Sequence, residues 1–217
     1  MLVVIGILIA LQINNWNESR KRNDLKLDYC NQLLDDFGKD ISQIQFNANR
    51  LDLNINALES YREKLETANL PLDSIYRQLK KIDLASHRAD FSFQTFNTLE
   101  STGDLKLFDA KIRNALMALN SLQLDYLENF NSQNDLYNQL IIDNGLIFKD
   151  AYLTELERQT YLYGDVNRDI VNADLLLELN HALRVKYAHE KADKIKLDNI
   201  LNQIKELELF IGNEMSH

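Results

Sequence analysis

The chain has 217 residues, enough to bury one sizeable core, and carries 24 Lys plus Arg against 33 Asp plus Glu. The formal net charge of −9 opposes attraction to phosphate backbones, so no nucleic-acid partner is expected. One Pro and six Gly leave few chain breaks and point to an all-α fold, while the single Cys30 excludes an intramolecular disulfide and a multi-thiolate metal site.

Met1 to Leu11, MLVVIGILIAL, is apolar throughout. At about 1.5 Å per residue the run reaches roughly 16 Å, about half of a hydrocarbon core. Leu2, Val3, Val4, Ile5, Ile7, Leu8 and Ile9 surround the whole helix circumference instead of forming one stripe, a pattern that asks for lipid. With Leu11 and Trp16 they define a membrane-anchoring segment over residues 1–16. Trp16 suits a membrane interface, and Arg20, Lys21 and Arg22 suit a headgroup layer. A signal peptide fits less well: no basic region precedes the run, and Gln12 to Trp16 follow it in place of a small-residue cleavage site. The expectation is the second half of a transmembrane helix whose first half lies upstream of Met1.

VVIGILIALQINNWNE, Val3 to Glu18, resembles the hallmark of an uncharacterised bacterial membrane protein family of Bacteroidota type, a domain of unknown function. The likeness extends along most of the chain and includes FNTLESTGDLKL, Phe96 to Leu107. It implies a single span that begins earlier than the part matched here, with basic residues ahead of it, running into a long acidic helical region. It implies membrane attachment and no activity. Arg20, Lys21, Arg22 and Lys26 alone would hold the bundle in the cytoplasm; the upstream basic residues that the resemblance implies offset them, and the periplasmic side of a bacterial inner membrane is favoured.

Leu27, Cys30, Leu34, Phe37, Ile41, Ile44, Ala48, Leu51, Ile55 and Leu58 alternate by three and four residues. This apolar seam predicts one long helix, continuous with the anchor because no Pro intervenes. Glu59 lies off the seam, so Glu59→Lys is expected to be tolerated. NLPLDS, Asn69 to Ser74, ends the helix, because Pro71 disfavours helical geometry at Leu70.

A shorter helical insert follows at about residues 74–108. Ile75, Leu79 and Ile82 read as one short helix, His87 to Asp90 as a turn, and Phe93, Phe96 and Leu99 as a second short helix ending near Gly103. Asp109 is an N-cap for the next long helix. Its seam runs through Ile112, Leu116, Leu119, Gln123, Tyr126, Phe130, Gln133, Tyr137, Leu140, Asn144, Ile147 and Ala151. Gln123, Gln133 and Asn144 interrupt it, as polar residues that set register do. Tyr161 to Asn172 reads as a connection, and the last helix starts at Asn172 or Asp174. That helix continues through Leu176, Leu179, Leu183, Leu197, Ile200, Ile204, Leu207 and Ile211, with Lys186, Glu190 and Asp193 breaking its seam midway. Striped helices of this length cannot bury their faces alone, so residues 17–217 are expected to form an elongated antiparallel, coiled-coil-like bundle.

Signals for chemistry are thin. Glu178 and His181 have the Glu-x-x-His spacing of di-iron bundles, but those sites also need a second such pair and two further Glu residues on facing helices, and an ordinary polar helix face explains the spacing more simply. HEKAD, His189 to Asp193, has Asp where a zinc protease has its second His, and alternating charge explains it more simply. Cys30 lies on the seam as packing. No catalytic, cofactor or metal site is expected, and no enzyme. Two functions remain: a structural or protein-interaction module whose partners are membrane lipid and a protein or a second copy, and a ligand-sensing bundle acting through a separate partner.

Overall fold

The computed structural model describes residues 2–67, 78–79, 81–143 and 173–215. Its elements are α1 (Leu2–Thr67), α2 (Gln94–Thr102), a 3-10 turn (Asp104–Leu107), α3 (Ala110–Asp143) and α4 (Ala173–Met215). No strand occurs among the described residues, so the chain is all-helical there. The NLPLDS stop, Ile75, Asn144, Ile147, Ala151 and the connection at 161–172 lie outside them, as do the side chains of Leu2, Leu176 and Glu178.

The first helix runs unbroken for 66 residues. No Pro interrupts it, and neither Gly6 nor Gly38 takes a positive φ. None of the described helices is long and apolar enough to cross a membrane. Among the described residues there is thus no complete span, because Gln12, Asn14 and Asn15 end the apolar stretch of α1 short of spanning length.

The buried face of α1 comprises two heptad rows. Cys30, Phe37, Ile44, Leu51 and Leu58 make an apolar row, and Leu33, Asp40, Asn47, Asn54 and Tyr61 make a second, largely polar one. Ile55 is buried beside them, whereas Leu34, Ile41 and Ala48 are half-buried and Leu27 is exposed. The face thus turns away from the Leu34 and Ile41 side and takes in polar residues, which a search for apolar periodicity passes over.

Contacts group the chain into two units: Met1–Gln45 with Ala89–Leu124 and Asp198–His217, and Phe46–Arg88 with Asp125–Leu197. In the first, Phe96 and Leu99 of α2, Ile112, Leu116 and Leu119 of α3, and Ile200, Ile204, Leu207 and Ile211 of α4 are buried. Each such side chain contributes about 1.5–3 kcal/mol of burial. Gly103 ends α2 with φ 73, donating its N–H to the Glu100 carbonyl at 3.1 Å; a side chain there would be strained.

In the second unit, Leu58, Tyr61, Ile82, Tyr137, Ile141, Leu179, Ala182 and Leu183 form one hydrophobic cluster. Here α1 and α4 run antiparallel, since Asn54 meets Glu190 whereas Tyr61, further along α1, meets the earlier Asn180.

Candidate functional site

Each unit contains a piece of non-helical backbone, and polar side chains from the buried faces of the long helices satisfy it. In the first unit, Phe93 stands at the start of α2 without a side-chain cap. Asp36 of α1 fills that role from outside the helix, accepting from the Thr95 hydroxyl at 2.6 Å and the Thr95 N–H at 3.4 Å. The carboxylate also meets the positive end of the helix dipole. One turn on, Asp40 accepts from the Ser92 N–H and from the Gln123 amide, each at 2.8 Å. Burial raises the Asp40 pKa, against the pull of those hydrogen bonds. Gln123 therefore has a specific partner across the first unit, beyond any role in register.

In the second unit the same problem arises with carbonyls. Asp83, Leu84 and Ala85 follow one another without helical geometry, and each carbonyl accepts from a different long helix. Asn54 of α1 donates to Asp83 at 3.0 Å, the Tyr137 hydroxyl of α3 to Leu84 at 3.0 Å, and Lys186 of α4 to Ala85 at 2.9 Å. Asn54 closes its pairing by accepting the Asp83 N–H at 2.7 Å. These hydrogen bonds are part-buried, and the three side chains give the non-helical backbone its partners on the helix side.

Glu190 balances the buried Lys186 at 3.0 Å and accepts from the Asn54 amide at 2.8 Å and 3.0 Å. The Lys186 ammonium also lies 4.9 Å from the Tyr137 ring centroid. Lys186, Glu190 and Asp193 are thus buried members of the α4 face and do not break it. HEKAD is not a solvated run of alternating charge: Glu190 and Asp193 are buried and His189 is half-buried. At the edge of this layer the Asp83 carboxylate is held below its usual range. Burial pulls it up, but hydrogen bonds from Arg50 at 3.0 Å and His87 at 2.9 Å outweigh that.

Asp193 is the least satisfied member of the layer. Its Oδ1 and the Gln133 Oε1 are buried without hydrogen-bond partners among the described residues. Burial pushes the Asp193 pKa up to about 6, with Lys196 opposing and Glu190 reinforcing. The folded value thus lies above the unfolded one. Below both values the group is neutral and costs nothing; as pH rises towards and past 6 the folded state must hold a charge it disfavours. Asp193→Asn is expected to stabilise the chain at pH 7 by about 2 kcal/mol and to leave it nearly unchanged near pH 4. Urea melts of both proteins across that range check the sign, and a variant less stable at pH 7 would contradict it.

Beside the hydrophobic cluster of the second unit, α1 and α4 border a cleft of about 550 Å³. Leu58, Tyr61, Arg62 and Leu65 line it from α1, and Asn180, His181, Leu183, Arg184 and Tyr187 from α4. The Tyr61 hydroxyl donates to the side-chain amide oxygen of Asn180 at 2.6 Å, and burial pushes its pKa up to about 12. Glu59 also lines the cleft and accepts from the Tyr187 hydroxyl at 2.6 Å and from Lys191 at 3.5 Å, which holds its carboxyl below the usual range. Glu59→Lys would lose both partners and set two cations together, so the tolerance expected from its place off the seam does not follow.

The other residues singled out in the sequence are dispersed. His181 is exposed at the cleft, and Cys30 is fully buried, its thiol pKa raised by that burial. Among the described residues no group of His, Cys, Asp and Glu is placed to hold a metal ion. The polar layers themselves escaped sequence reading. A signal was present in α1, where Asp40, Asn47 and Asn54 recur every seven residues.

No curated protein and no solved structure matches the chain. Over residues 1–92, a stretch that includes all of α1, the chain is similar to a family of unknown function (DUF6090).

Proposed function

We propose that the chain is a membrane-tethered helical-bundle protein, a structural or protein-interaction module without enzymatic activity. In this reading the start of α1 anchors in a bacterial inner membrane, and the antiparallel bundle holds a protein partner or a second copy on the periplasmic side. One observation carries the tether: Val3, Val4, Ile5, Ile7, Leu8, Ile9, Leu11, Ile13 and Trp16 are all between 51% and 75% exposed. So many large apolar side chains around one helix end exceed what a protein surface leaves to water. Trp16, with the Arg20 guanidinium 5.8 Å from its ring centroid, supplies the aromatic and basic boundary expected at headgroups.

Flotation of the full chain with phosphatidylethanolamine and phosphatidylglycerol vesicles tests the tether. The protein should rise with the vesicles, and the Ile5→Asp/Ile9→Asp variant should remain at the bottom. Each Asp costs up to about 3 kcal/mol in a hydrocarbon environment, whereas both positions are exposed in the fold and their replacement should leave helicity intact. Wild-type protein that stays down would refute the reading.

A further inference from the structure

We propose that the cleft between α1 and α4 of the second unit is a binding site for a small amphiphile with a single carboxylate, of the medium-chain fatty acid class. This goes beyond the tether and does not rest on it. The cleft's volume of about 550 Å³ falls within the usual range for small-molecule sites, roughly 300–1,000 Å³.

Its charges can be matched one by one. Glu66 is paired with Arg62 at 3.0 Å, and Glu59 is engaged by Tyr187 and Lys191. Among the described residues this leaves Arg184 as the guanidinium of the cleft with no carboxylate opposite it. A lone guanidinium suits a monoanion; a phosphate dianion would call for more positive charge.

Asn180 stands one helical turn from Arg184, on the same side of α4. Its side-chain amide oxygen is occupied by the Tyr61 hydroxyl, which fixes the amide with its N–H donors directed elsewhere. Arg184 and Asn180 together can grip one carboxylate through several N–H donors, as Arg forks do. The wall for a hydrocarbon tail is supplied by Leu58 and Leu183, both members of the hydrophobic cluster, and by Leu65 packed against it. A cationic ligand has less to gain here, because both acids of the lining are already paired.

Calorimetric titration of the full chain with decanoate, decanol and decyltrimethylammonium tests the assignment. Decanoate should bind saturably at one site, and decanol and the ammonium at least about tenfold more weakly, the loss expected for a charge-assisted hydrogen-bonded contact. Arg184→Gln should weaken decanoate binding by a similar factor; Arg184 is exposed, so circular dichroism should show the variant folded. The Ile5→Asp/Ile9→Asp variant should bind decanoate as the wild type does, which separates the cleft from the apolar helix end and this proposal from the tether. No saturable decanoate binding, equal binding to Arg184→Gln, or loss of binding in the helix-end variant would overturn it.

Discussion

Ile44→Asp should destabilise the chain by about 3 kcal/mol or more, whereas Gln45→Asp, one residue along, should change stability by no more than about 0.5 kcal/mol. Ile44 is 0% exposed and Gln45 is exposed, so the same carboxylate meets two different solvents. At position 44 it must ionise without a partner in an apolar row or protonate, and either course draws on the small net stability of a fold. The apolar row that includes Cys30, Phe37 and Leu51 also loses one of its members. Urea melts followed by circular dichroism would show the contrast, and similar midpoints for the two variants would mean that the buried face of α1 is wrongly placed.

Lys186→Met should be nearly as damaging, at about 3 kcal/mol, although it puts an apolar residue into a buried site. Lys186 is 3% exposed and joins three partners: the Glu190 carboxylate, the Ala85 carbonyl and the Tyr137 ring. Its removal leaves Glu190 buried with Asn54 as its remaining support and leaves the Ala85 carbonyl without its donor. Adding Glu190→Gln to Lys186→Met removes the stranded charge and should restore part of the loss, about 1–2 kcal/mol. Two losses that simply add would show that Lys186 and Glu190 are not coupled.

The sequence by itself determined the helical class and the apolar row of α1. Few Pro and Gly with apolar residues at spacings of three and four admit little else, and Gly103 marked the end of α2 because only a residue without Cβ sits easily at φ 73. The exposed apolar helix end was legible for the same reason: a helix apolar on every side has no inward face to choose. Tertiary structure alone decided what the polar interruptions are for. Gln123, Lys186 and Glu190 read as weak points in a stripe, and Asp40 and Asn54 went unread, because hydrophobic periodicity is a property of one helix. Their partners are backbone groups and side chains distant in sequence, Ser92 for Asp40 and Ala85 for Lys186. The cleft beside Arg184 has the same origin. Its two walls lie more than a hundred residues apart, as in the contact of Tyr61 with Asn180, so only the packing of α1 on α4 in the second unit brings Arg184 and the apolar wall together.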